Sequence, residues 1–218
     1  MPRTAFAGTG FYVPDRVVKN DELTQYMDTS DEWIIERTGI QERRWVTDGM
    51  TSAEMACRAS KMAISAAGIE PGEIDAIVLG TLSPDVFFPG TGVFLQRDLG
   101  LEGIPALDVR AQCSGFVYGL SVADAWIKSG QYRTILLVGV EIHSTGIDVS
   151  TRGRDLAVLF GDGAGAVLLE PSDGPNGVLD WILRSGGGGG QFLYMPGGGS
   201  LNPSTSETVG KKMHYVHQ

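Results

Sequence analysis

Three short apolar runs, IDAIVLG at Ile74–Gly80, IPALDV at Ile104–Val109 and TILLVGVEI at Thr134–Ile142, constrain this chain more than any other feature. Each is continuous where a half-buried strand would alternate, so each reads as a strand covered on both faces. Helical patterns separate them: Thr51–Ala67, Thr91–Leu99, and a stretch that starts directly after Cys113 and runs to Ser129. Buried strands joined by helices predict an α/β layered fold around a parallel sheet with both sides covered. Thr4–Gly8 reads as a further strand. The long helix carries its own punctuation, since Thr51 and Glu54 fit a capping box and Gly68 and Pro71 end it. A shorter helix, Ser30–Arg37, takes its cap from Thr29 or Ser30 and stops at Gly39.

With 218 residues, 42% of them hydrophobic and 20% charged, the chain can bury a real core as one large domain or two small ones. A formal net charge of -9 argues against a nucleic-acid partner, which needs a broad basic face, and any anionic ligand must be met by a local patch. No run of about 18 apolar residues could span a bilayer. The start MPRTAFAGTG also lacks the apolar stretch of a secretory signal, so the expected compartment is the cytosol, with no membrane association. Cys57 and Cys113 make no disulfide framework, and no His/Cys cluster has zinc-ligand spacing, so reduced thiols and no metal are expected. After Pro171 the texture changes. The glycine runs at Gly186–Gly190 and in Pro196–Ser200 predict a flexible surface excursion, with a lid over a ligand as the alternative.

The stretch RAQCSGFVYGL sets Cys113 between an apolar strand and a helix that begins at once. Unpaired N–H groups and the positive end of a helix dipole favour a thiolate there, and a thiolate is a nucleophile. The small neighbours Ser114 and Gly115 leave room for an acyl group to approach. Burial as a small core residue is the competing reading, because free cysteine is among the most buried residue types. Cys57, inside the amphipathic AEMACRASKMA, is expected in the core.

Three blocks together, DTSDEWIIERTGIQERR at Asp28–Arg44, PALDVRAQCSGFVYGLSVAD at Pro105–Asp124 and VLFGDGAGAVLLEP at Val158–Pro171, resemble the ketoacyl-acyl carrier protein synthase III family, in family order and at family-like separations. The resemblance implies a thiolase-like layered fold in which two βαβαβ-type halves stack their sheets around central helices, as a homodimer. It implies a decarboxylative Claisen condensation of an acyl-CoA primer with malonyl-acyl carrier protein, with acyl-CoA as substrate, acyl carrier protein as partner and no tightly bound cofactor. Cys113 matches the family nucleophile, and covalent capture as a thioester splits one hard step into two easier ones. Thr29, Trp33 and Arg37 fall where the family grips the adenine end of coenzyme A, and Arg154 matches a further cofactor-holding arginine, with Arg152 two residues away as an alternative. Phe88, or Phe87 beside it, matches an aromatic that the family reaches into the partner's acyl pocket. Gly161, Gly163 and Gly165 lack the lysine and the following helix of a phosphate loop and are read as tight backbone packing.

Family members activate the malonyl group with a histidine and an asparagine from the second half of the fold. None of His143, His214 and His217 stands in that histidine motif. The expected organisation is therefore a nucleophile-bearing half over 1–170 and the start of a second half, incomplete in this chain, over 171–218. The Lys211–Lys212 doublet is a weak candidate for carrier-protein docking. Two alternatives to fatty-acid initiation stand beside it: a long-chain head-to-head, polyketide or quinolone-type condensing enzyme, and a catalytically incomplete thiolase-like binding partner.

Overall fold

The computed structural model describes residues 2–47 and 49–218. In chain order its elements are β1 (Arg3–Tyr12), β2 (Arg16–Lys19), α1 (Asn20–Leu23), α2 (Asp31–Thr38), β3 (Glu42–Trp45), α3 (Ser52–Ala67), β4 (Ala76–Gly80) and α4 (Thr91–Asp98). They continue with β5 (Ala106–Val109), α5 (Gly115–Ser129), β6 (Ile135–Glu141), α6 (Arg154–Ala157), β7 (Gly163–Ser172) and α7 (Ser206–Gly210). Two compact units emerge: Met1–Val13, Asp48–Glu141 and Gly163–Leu183 form the first, and Pro14–Thr47, Ile142–Asp162 and Arg184–Gln218 the second.

The first unit is built on a five-stranded sheet in the order β1-β7-β6-β4-β5. The three continuous apolar runs form its parallel part, β5-β4-β6, and every residue of β4 is buried. The sheet as a whole is mixed, because β7 runs antiparallel to both β6 and β1. That strand hides in the sequence behind the GDGAG glycines: Gly163 and Gly165 open it, and Gly165 pairs with Gly139 on one side and Phe11 on the other. Tight packing is found instead at Gly161, where an added Cβ would lie 3.1 Å from the Arg44 carbonyl oxygen.

Helices cover both faces of this sheet. Ala123 and Ile127 of α5 pack with Val78, Ile135, Leu137 and Leu169, each Val, Ile or Leu side chain worth about 1.5–3 kcal/mol when fully buried. Alternation sends Leu136 and Leu168 to the other face, where α3 lies flush on β1: a Cβ on Gly8 or Gly10 would sit 2.2 or 2.3 Å from the carbonyl oxygens of Ala63 or Ala59. A bulge between Phe6 and Gly8 shifts the β1 register, so Phe6 pairs with Leu169 and Gly8 with Leu168. Helix α3 begins as expected, with Thr51 Oγ1 accepting from the Glu54 N–H, and ends at Gly68 with φ +72°. The reciprocal arm of the capping box gives way to an ion pair, because the Glu54 carboxylate meets Arg58 one turn on.

The second unit holds the antiparallel pair β2–β3 and a core of Val18, Leu23, Ile34, Trp45, Ile147, Ala157 and Val158. Ser30, rather than Thr29, caps α2: its Oγ accepts from the Trp33 N–H at 3.1 Å, and Gly39 ends the helix at φ +70°. The glycine-rich stretch forms a single 3-10 turn at Gly187–Gly189, a lone bridge joins Tyr194 to His217, and α7 is capped by Thr205. Among the described residues no helix is long and apolar enough to cross a membrane.

Candidate active site

In the first unit the turn from β5 to α5 carries Cys113. Gln112 adopts φ +49°, a left-handed conformation that costs a non-glycine residue about 1–2 kcal/mol, and Cys113 follows it exposed in a 3-10 turn. The turn closes on itself, with the Ser114 Oγ and N–H both donating to the Ala111 carbonyl at 2.7 and 3.2 Å. Beneath it α5 starts against the end of β4, where a Cβ on Gly80 would come within 3.0 Å of the Gly115 carbonyl carbon. Gly115 thus serves the close approach of helix to strand, a use its sequence reading as space for an acyl group did not include.

The same sheet end carries an acidic residue that no motif flagged. Glu141, the last residue of β6, accepts from the Leu82 N–H at 2.9 Å and the Ser83 hydroxyl at 2.6 Å, and so holds the segment that follows β4. Farther along that segment Phe87 and Phe88 are 83% and 81% exposed, so neither ring is used in the core of this unit. Asp108, in β5, accepts from the Gly92 N–H at 2.9 Å. Burial pushes its carboxyl above the usual range, against the N–H groups of Gly92 and Thr91 and with help from the charge of Asp85.

Cys57 offers the contrast. It is 6% exposed inside α3, with its Sγ 3.6 Å from the Asp98 carbonyl oxygen, as the amphipathic pattern predicts. Burial pushes its thiol pKa up; Lys61 opposes this, and the charges of Asp98 and Glu54 add to it.

The second unit brings three of the expected residues together. The guanidinium carbons of Arg154 and Arg37 lie 4.3 and 4.4 Å from the Trp33 ring centroid, within the range of a cation–π contact. Arg154 also donates to the Asp28 carbonyl at 3.0 Å. Arg152, the alternative, is spent elsewhere, on the Asp148 carboxylate at 2.6 Å. Thr29 stands just before the α2 cap, and its hydroxyl oxygen is buried without a hydrogen-bond partner. Trp33, Arg37, Thr38, Arg154, Val158 and Leu159 line a shallow cleft. The Asp162 carboxylate, 5% exposed, accepts from the N–H groups of Val46, His143 and Ser144 at 2.7–2.9 Å and from the Ser144 hydroxyl. His143 is held by this knot and by its ring against Phe160, centroids 4.6 Å apart.

Comparison with known proteins adds a family to this geometry. Residues 107–187 match the model of 3-oxoacyl-[acyl-carrier-protein (ACP)] synthase III. A beta-ketoacyl-[acyl-carrier-protein] synthase III from Koribacter versatilis is 46% identical over 99% of this chain, and the chain spans 65% of that relative, just under two thirds of its length. The crystal structure of the 3-oxoacyl-(acyl carrier protein) synthase III from Pseudomonas aeruginosa superimposes with a TM-score of 0.84 at 37% identity, over 92% of this chain and 62% of that one. The priming beta-ketosynthase of the R1128 polyketide biosynthetic pathway does so with a TM-score of 0.76 at 38% identity, over 80% of this chain and 52% of that one.

Proposed function

Since the chain belongs to the beta-ketoacyl-[acyl-carrier-protein] synthase III family, with its thiolase-like fold, we propose that the protein is an acyltransferase that condenses an acyl-CoA primer with malonyl-acyl carrier protein and so opens fatty-acid synthesis. The observation that carries this reading is the exposed thiol of Cys113 on a strained turn at the start of α5. In the first half-reaction the Cys113 sulfur attacks the thioester carbonyl, the carbon–sulfur bond to coenzyme A breaks, and the departing thiolate takes a proton. In the second, the malonyl group loses carbon dioxide, the resulting carbanion attacks the acyl-cysteine carbonyl, and the Cys113 sulfur leaves.

Coenzyme A is an anion, and the chain carries a net charge of -9, so its charge must be met locally. Arg37 and Arg154 supply two cations beside one indole, and Thr29 stands just before the cap of the helix that carries Trp33 and Arg37. A nucleobase stacked on Trp33 takes the place of one guanidinium, since 4.3 Å leaves no room for a ring between. The released arginine is then available to a phosphate. No tightly bound cofactor is part of this reading. The acyl carrier protein is the second substrate, and the cytoplasm is the compartment. A homodimer is supported by the outer edge of β5, which has no strand partner among the described residues, and by the exposed Phe87, Phe88 and Leu107. We assign Phe88 to the acyl pocket of the partner subunit, residues 1–170 to the nucleophile-bearing half and 171–218 to the start of the second.

Mass spectrometry after incubation with acetyl-CoA tests the reading. The acyl group is expected on the peptide that contains Cys113 and absent from Cys113→Ala; labelling that survives this substitution overturns it. The likeness to the polyketide priming enzyme favours a second reading, priming of polyketide chains, and a panel of acyl-CoA lengths separates the two.

A further inference from the structure

We propose that Arg43 is a positioning residue for the Trp33–Arg37–Arg154 cradle, its buried guanidinium tying the helix that carries Trp33 and Arg37 to the turn that carries Arg154. The inference rests on the reading of that cradle as the coenzyme A site.

Arg43 stands on β3, opposite Val18, and is 5% exposed. One end nitrogen, Nη2, donates to Asn20 Oδ1 at 2.7 Å and to the Val158 carbonyl at 3.2 Å; the other, Nη1, donates to the Val18 carbonyl at 3.2 Å. Asn20, 1% exposed, passes the connection on. Its Nδ2 donates to Asp31 Oδ1 and to the Ile40 carbonyl, both at 2.8 Å. Asp31 is the first residue of α2 and Ile40 lies just past its end, so the amide grips both ends of the helix that bears Trp33 and Arg37. Val158 follows α6, whose first residue is Arg154, and its N–H donates back to the Arg154 carbonyl at 3.1 Å.

The energetics favour a geometric role. All three acceptors are neutral, the Nε is buried without a partner, and burial pushes the guanidinium pKa below its usual value. A buried cation in such a setting is often no more stabilising than a well-packed apolar side chain of similar volume. What an arginine adds is a rigid planar fork that fixes several acceptors relative to one another. Lysine keeps the charge but has no such fork.

The test uses the full-length protein with two acyl donors, acetyl-CoA and S-acetyl-N-acetylcysteamine, the second of which has no nucleotide. For Arg43→Lys the KM for acetyl-CoA is expected to rise about tenfold, while acylation of Cys113 by the short thioester stays within about twofold of the parent. Asn20→Ala, which frees α2 but leaves Arg43 in place, should show the same split, and it carries the test if Arg43→Lys fails to fold. An unchanged KM in the folded variants overturns the proposal. So do equal losses on both donors, which mark a purely structural role. If the parent is acylated by the short thioester but shows no preference for acetyl-CoA, the reading of the cradle itself fails, and this inference with it.

Discussion

The two cysteines sit in the same unit and meet opposite conditions. Cys57 is one residue of a regular helix turn, packed within α3, and its thiol is held in the protonated form by burial. Cys113 precedes a helix, on a turn whose left-handed Gln112 costs energy and whose thiol reaches solvent. Position relative to a helix start is what sets the exposed sulfur apart from the packed one.

The largest effect that could break this contrast is chemical. Reaction at Cys57 needs local opening of α3, and an opening of about 3 kcal/mol slows alkylation on the order of 100-fold. Iodoacetamide should therefore modify Cys57→Ala at the parental rate and Cys113→Ala at least that much more slowly; peptide mapping that finds equal rates would dissolve the distinction.

Next in size is the floor of the Cys113 turn. Gly80→Ala puts a methyl group 3.0 Å from the Gly115 backbone and is expected to cost about 1–3 kcal/mol in urea denaturation. Gly115→Ala meets nothing nearer than 3.6 Å and should change stability by less than about 1 kcal/mol. The reverse order would show that the turn, and not the strand end, sets the fit.

A third measurement asks whether the open turn stands on a fixed helix. Asp124 of α5, 2% exposed, accepts from Thr4 at 2.7 Å, Lys128 at 2.8 Å and the Trp181 indole at 3.2 Å. Burial pushes its carboxyl up, but these three partners outweigh it and hold the group below the usual range. The folded state then releases this proton at lower pH than the unfolded chain, so its stabilisation is present above about pH 4 and lost as pH falls through the folded value. Asp124→Asn should cost about 1–2 kcal/mol at neutral pH and flatten the acid limb of the stability curve. A parallel acid limb in the variant would assign that slope to other carboxylates.

The smallest effect belongs to Cys57. Its raised pKa means the unfolded chain loses this proton first, so the contribution is present below about pH 8.5 and declines above it. Cys57→Ala is expected to cost under about 1 kcal/mol and to remove that alkaline decline, as read by urea midpoints at pH 7 and pH 9.5.

Where local chemistry decides, the sequence was legible. The apolar runs gave β4, β5 and β6, and Thr51, Gly68 and Gly39 mark the helix ends expected of them. β7 was not legible, because its first half is glycine and alanine and it becomes a strand only between two neighbours. At the site, the family blocks pointed to Trp33, Arg37 and Arg154, which meet around one ring. Glu141 and Arg43 were invisible for another reason: a charged residue reads as surface until the fold supplies the groups that it bonds.

The bulge after Phe6 makes β1 a strand of two phases. Before it, Thr4 and Phe6 align with the α5 side of the sheet; after it, Gly8 and Gly10 align with the α3 side. An alternation pattern averaged over Arg3–Tyr12 cancels itself, and a mutational scan would change parity midway. Deleting Ala7 would remove the bulge and leave both halves opposite their present partners, so β1 would regain a single alternation while Thr4 kept its bond to Asp124, 120 positions away.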